Sequence, residues 1–221
     1  MNLESIKNIV HKNVYDHLIN RGIEILRPSQ TKSIEAGLLE GKNLLVCTPT
    51  ASGKTLIAEL VMLNSIYNYK GRAIYIVPLK ALANEKFDEF KKCYPDLKIG
   101  IATSDMDESG DKFSDCDILF CTSEKLDSMI RHGFSWLKYI ATIIIDEIHL
   151  LNDTSRGPTL EVLITLLKIK LPGIQLIGLS ATIGNAKELS DWLDANLVSD
   201  NWRPVKLHKG IYLDGKVDFF D

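Results

Sequence analysis

Two rhythms of apolar residues run along the chain. Ile6, Ile9, Val10, Val14, Leu18 and Ile19 recur at helical spacing and predict a helix over 4–20, with Gly22 just past its end. Pro28 suits the first position of a second helix that runs to about Glu40 and closes at Gly41. From there, short continuous apolar runs alternate with helical patterns. Strands are expected at 43–47, 72–77, 97–102, 117–121, 140–145 and 174–179, with a last one at 203–213. Helices are expected at 54–68, 78–93, from Thr122 onward, at 159–170 and at 185–196. Runs such as Arg72–Val77 and Ile140–Ile145 are apolar with little alternation, the mark of strands buried on both faces of a parallel sheet. The polar, acidic stretch Ser104–Ser114 reads as a loop. Strand and helix alternate throughout, with no repeat and no interior linker. The prediction is therefore one doubly wound α/β domain over 1–221, a mostly parallel sheet with helices on both faces.

Composition narrows the function classes. A chain of 221 residues, 45% hydrophobic and 25% charged, is long enough for a sizeable core and ordinary for a globular protein. Its net charge of −3 argues against a small, uniformly basic nucleic-acid binder, so any such contact must be a local patch. No apolar run approaches the ~18 residues of a membrane span, and none is expected. The start, Met1–Ser5, lacks a signal-peptide pattern. Cys47, Cys93, Cys116 and Cys121 form no C-x-x-C pair, and no His lies at zinc-finger spacing from them. Cys47 and Cys121 read as small core residues, and a reducing, cytoplasmic location is expected.

The chemistry gathers around Thr48-Pro-Thr-Ala-Ser-Gly-Lys-Thr55, which follows one predicted strand and opens a predicted helix. In that context backbone N–H groups and the positive end of a helix face a phosphate chain. Thr48, Pro49, Thr50, Ala51, Ser52 and Gly53 would form the cradle, with Gly53 admitting close approach. Lys54 would reach the β- and γ-phosphates, and the Thr55 hydroxyl would ligate Mg²⁺. The general motif begins with Gly where this chain has Thr48, and Pro49 fixes φ there; a plain strand-to-helix turn is the alternative. Upstream, the Gln30 amide offers one donor and one acceptor to an adenine edge. Asp146 and Glu147 end an apolar strand, where paired carboxylates are costly unless they hold a cation or do chemistry. Asp146 is a candidate for the Mg²⁺ shell and Glu147 for the base that accepts a proton from attacking water. His149 can link this site to a neighbouring loop, with Ser180 and Thr182 as partners whose hydroxyls also suit a helix cap. In open α/β sheets ligands bind beyond the carboxyl ends of strands, where all of these stretches fall.

Taken in order, Gln30, TPTASGKT, VPLKALANEK, TSEK, DEIH and SAT resemble the successive motifs of the first motor domain of superfamily-two DExH-box helicases. Within that superfamily the wording is similar to the Ski-like branch. It is most similar to archaeal repair helicases that act at stalled forks, through DEIHLL, SRGPTLE, LSATIGN and NWRPVKLHKGIY. The resemblance implies a RecA-like, P-loop NTPase lobe that uses ATP and Mg²⁺, with residues 1–41 contributing helices and the adenine-side Gln30. It implies that Lys80, Asn84, Thr122 and Lys125 contact the sugar-phosphate backbone of a single strand. The partner it implies is single-stranded or forked DNA, the alternative being RNA, as for other helicases of the same branch. It further implies a monomer, no membrane, and a second RecA-like lobe reached through a linker near residue 221. Alone, this lobe is expected to turn ATP over poorly. A nucleotide-gated clamp without unwinding is the alternative from another class.

Overall fold

The computed structural model describes residues 1–103, 113–133 and 135–220. Its elements follow the alternation. Helices α1 (Lys12–Asn20) and α2 (Pro28–Glu35) precede strand β1 (Leu44–Cys47). Next come α3 (Lys54–Tyr69), β2 (Arg72–Val77), α4 (Lys80–Cys93), β3 (Ile99–Ala102), β4 (Ile118–Thr122) and α5 (Ser123–His132). Then follow β5 (Ile140–Ile145), α6 (Gly157–Lys170), β6 (Gln175–Ser180), α7 (Ala186–Leu193) and β7 (Asn196–Ser199). A two-stranded antiparallel hairpin, β8 (Lys209–Leu213) and β9 (Lys216–Phe220), comes last.

Seven strands form one sheet in the order β3-β4-β2-β5-β6-β1-β7, every pairing parallel. The sheet divides the core into two layers. Leu44, Val46, Tyr75, Val77, Phe120 and Ile177 face α1, α3 and α4; Leu45, Ile74, Ile76, Ile143 and Ile145 face α5 and α6. Because both faces are covered, the central strands carry no solvent-side polar alternation, and their burial is continuous. Helix α3 is buried from Leu56 to Ser65, which explains why its apolar residues form no narrow stripe. Its one buried carboxylate, Glu59, accepts hydrogen bonds from Arg21 and the Tyr94 hydroxyl. Those bonds tie the start of the chain and the end of α4 to α3.

Four elements differ from the pattern-based expectation. The helix read over 4–20 is a 3₁₀ turn at Leu3–Ile6 followed by α1, because the Asn2 and His11 side chains cap two separate starts. The stripe nonetheless survives the break: Ile6, Val10, Val14 and Leu18 are buried, while Ile9 and Ile19 are exposed. The helix read to Glu40 stops at Glu35, and Gly37 in the left-handed region starts a separate turn. The helix read over 185–196 ends at Leu193 with Asp194 left-handed, and Asn196 already pairs as the edge strand β7. The strand read over 203–213 is confined to β8, whose partner is β9 and not the large sheet. The loop read at Ser104–Ser114 falls, apart from Phe113 and Ser114, outside the described residues. Cys47 and Cys121 are buried as expected, and burial pushes both thiols up in pKa.

Candidate active site

Parallel strands bring their carboxyl ends to one edge, and along it β5, β6 and β1 are consecutive neighbours. The DEIH, SAT and TPTASGKT stretches, far apart in sequence, therefore meet there. The ladder between β6 and β1 runs on into the loop, where the Thr48 N–H donates to the Ser180 carbonyl at 3.2 Å. The loop then folds on itself. Thr48 and Ser52 are buried with their hydroxyls 2.7 Å apart, and the Ser52 N–H donates to the Pro49 carbonyl. Ala51 and Gly53 take left-handed backbone, with φ of 64° and 97°. At Gly53 the left-handed backbone strains any side chain, and a Cβ would also displace the Gln30 amide nitrogen. Gly53 caps α3, so the unpaired first amides of that helix open onto the loop.

The loop is held from outside by the start of α2. Arg27 donates to the Ala51 carbonyl at 2.6 Å, and the Ser29 hydroxyl donates to the Ser52 carbonyl at 3.2 Å. Gln30 Nε2 donates to the Gly53 carbonyl at 3.1 Å, while its Oε1 accepts from the Arg27 N–H at 2.8 Å. The structure thus gives the Gln30 amide a role as a brace between α2 and the loop. Arg27 and Gln30 also border a cavity of about 510 Å³ that extends from Gly53 and Thr55 to Arg21 and Ile23.

Lys54 and the acidic pair face one another across the strand ends. The Lys54 ammonium donates to the Thr48 and Pro49 carbonyls at 2.9 and 3.3 Å. Burial pushes its pKa down, and the nearby Glu147 and Asp146 carboxylates partly restore it. Asp146 is gripped on both oxygens: Oδ1 accepts the Glu147 N–H at 3.0 Å, and Oδ2 accepts the Tyr75 hydroxyl at 2.9 Å. Glu147 sits in the left-handed region (φ 51°, ψ 43°), where the chain turns from β5 into the 3₁₀ turn Ile148–Asn152. Strain of this kind in a non-glycine residue, at a strand mouth, is typical of functional sites. His149 Nδ1 lies 3.3 Å from Glu147 Oε2 and 3.5 Å from Ser180 Oγ. Thr182 is exposed beyond β6.

Thr55, on the first turn of α3, accepts a hydrogen bond from the Lys86 ammonium at 3.4 Å, and Lys86 also pairs with Glu89. The four residues assigned to strand contact lie further along the same edge, at the ends of β2 and β4. Lys80 and Asn84 are exposed on the first turns of α4, where Asn84 Nδ2 donates to the Lys80 carbonyl. Thr122 is buried, and its hydroxyl caps α5 by accepting the Lys125 N–H. Sequence reasoning missed Tyr75, Arg27, Ser29 and Lys86. Only Tyr75 carried a signal: a hydroxyl inside an apolar strand needs a partner.

The profile of the DEAD/DEAH box helicase family matches residues 27–189. ATP-dependent DNA helicase Hel308 of Methanococcus vannielii is 51% identical over 217 residues, 95% of this chain and 28% of that protein. The Hel308 of Pyrococcus abyssi is 49% identical over 213 residues, 96% of this chain and 29% of its own length. The chain thus spans under a third of these relatives. Among solved structures, the DUF1998 helicase MrfA bound to DNA superposes with a TM-score of 0.74 at 28% identity, over 87% of this chain and 30% of that one. The same helicase with DNA and AMPPNP gives 0.76 at 28% identity, over 87% and 29%. The seven-stranded sheet is the RecA-like fold of these helicases.

Proposed function

Because the chain belongs to the DEAD/DEAH box helicase family, we propose that it is the ATP-binding motor lobe of an ATP-dependent DNA helicase. We assign it to translocation or unwinding on single-stranded or forked DNA during repair, in the cytoplasm. The observation that carries this reading is the adjacency of β5, β6 and β1, which gathers Lys54, Asp146, Glu147, His149 and Ser180 at one edge. The DNA half of the reading is supported by relatives named as DNA helicases at about half identity.

Each residue has a task in this reading. The left-handed Ala51 and Gly53 turn loop amides toward a phosphate chain. Lys54, now bonded to two loop carbonyls, exchanges them for phosphate oxygens when ATP binds. Thr55 and Asp146 supply the hard oxygens that Mg²⁺ takes. Bound there, Mg²⁺ would neutralise charge on the phosphates. Glu147 accepts the proton of the attacking water, and its strained backbone aims it out of the strand. His149 senses the state of Glu147 and is in reach of Ser180 on the neighbouring strand. Lys80, Asn84, Thr122 and Lys125 serve the nucleic-acid strand at the other end of the edge, Thr122 by building the α5 cap. A second RecA-like lobe would complete the ATP site.

The test is ATPase rate of the full-length protein with no nucleic acid, with single-stranded DNA and with single-stranded RNA of matched length. Stimulation by DNA is expected. Greater stimulation by RNA would move the substrate to RNA, and none by either would favour a nucleotide-gated clamp.

A further inference from the structure

Asp146 has a partner that the family motifs do not name. Tyr75 sits in the middle of β2, the strand that neighbours β5, in register with Ile144 two residues before Asp146. Its ring is fully buried and packs on Phe120 at 5.3 Å between centroids, with Phe90 behind that at 5.2 Å. A ring so enclosed has one direction for its hydroxyl, and that direction ends on Asp146 Oδ2 at 2.9 Å. The other oxygen is held by the Glu147 N–H. Two donors, one from the neighbouring strand β2 and one from the turn after β5, therefore fix the plane of this carboxylate, while each oxygen keeps a lone pair for a further ligand.

We propose that Tyr75 is a positioning residue for the divalent cation: its phenol orients the Asp146 carboxylate toward the Mg²⁺ of a bound Mg-nucleotide. The inference rests on the ATP-site reading above. A carboxylate left on one hydrogen bond rotates about its χ2 torsion, a broad two-fold well, and loses alignment with the cation's demanding octahedral shell. Hydrogen-bonded partners of ligating groups change metal affinity or activity by about 10–100-fold when removed. Tyr75→Phe deletes only the hydroxyl and keeps the ring in its packing.

The experiment is a Mg²⁺ titration of a fluorescent, non-hydrolysable ATP analogue on the full-length protein, repeated with Mn²⁺. For Tyr75→Phe the midpoint in Mg²⁺ is expected to rise about 10-fold or more. Affinity for the analogue in EDTA should stay within about twofold, and Mn²⁺, with softer geometric demands, should recover part of the loss. In an Asp146→Asn background the same substitution should add nothing beyond about twofold, since the effect passes through that carboxylate. A normal midpoint in Tyr75→Phe, or a full additional loss in Asp146→Asn, overturns the proposal alone. Nucleotide binding by the unmodified protein with no response to either cation overturns the ATP-site reading and this inference together. A drop in EDTA affinity equal to the drop in Mg²⁺ shows a merely structural role and also overturns it.

Discussion

The two ends of the sheet's working edge are built differently. At the β5-β6-β1 end, nearly every polar group is already committed. The loop is braced by Arg27, Ser29 and Gln30, Lys54 is folded onto loop carbonyls, and Asp146 is held by two donors. At the β2-β4 end, Lys80 and Asn84 stand exposed on a helix start, and Thr122 is spent on a cap. The contrast matches what the two proposed tasks would demand. A transferring phosphoryl group needs groups fixed to within about 0.5 Å, because catalysis there is positioning and electrostatics. A sugar-phosphate backbone that must slide needs charge and helix starts, and tolerates loose side chains.

The sharpest way to break that comparison is at Glu147. Glu147→Gln keeps the shape and the backbone bond to Asp146, so nucleotide affinity should stay near normal. Turnover in the presence of single-stranded DNA should fall about 10²–10⁴-fold, the range of a lost general base. A variant that still turns over would mean that the tight end does not contain the base. Next in size is Lys54→Ala. It removes a charge-assisted contact of about 1.5–3 kcal/mol, so affinity for an ATP analogue should drop about 10–100-fold by equilibrium titration. Single-strand binding measured without nucleotide should be unmoved.

How far the sequence foretold these two ends also differs. The strand-and-helix rhythm was legible because Ile140–Ile145 and Gln175–Ser180 are buried on both faces and leave no alternation to misread. The meeting of TPTASGKT and DEIH at one edge was legible because each stretch directly follows a buried strand of a parallel sheet. What stayed hidden was whatever depends on distant partners. Strand β7 was missed, its first residue Asn196 taken for the end of a helix, because its pairing with β1 is decided by Asn43 and Asp194 at the sheet edge, and only Val198 of its four residues is buried. The break between the first 3₁₀ turn and α1 was hidden because the apolar stripe runs through it unchanged. For Gln30, read as a partner of the adenine edge, the bracing contacts are what stayed hidden. Its bonds to Gly53 and Arg27 depend on the approach of α2 to the loop, which no local pattern shows. Tyr75 was passed over as one more apolar strand residue for the same reason.

A third substitution tests whether the tight end is strained into shape or relaxed. Gly53→Ala places a Cβ at φ 97°, against the Gln30 amide. The backbone term alone costs about 1–2 kcal/mol, read as a shift in denaturant midpoint. If the brace must also give way, adding Gln30→Ala should recover part of the lost stability. No loss at all in Gly53→Ala would mean that the loop relaxes freely and is not pre-built.

The smallest effects belong to the loose end, and there the shape of the response matters more than its size. Lys80 and Lys125 lie at the starts of α4 and α5, one exposed and the other half-buried. If each neutralises one phosphate of a single strand, Lys80→Ala and Lys125→Ala should each weaken binding modestly and equally for all sequences. Each should also lower the slope of log affinity against log salt by about 0.7. The double substitution should lower it by about twice that, because sites on separate helices that share no partner are additive. Nucleotide affinity without DNA should not change in any of them. A base-dependent loss would make this end a reader of sequence and not a track. A change in nucleotide affinity would mean that the two ends are already coupled through α4, whose Lys86 touches Thr55, before any strand is bound.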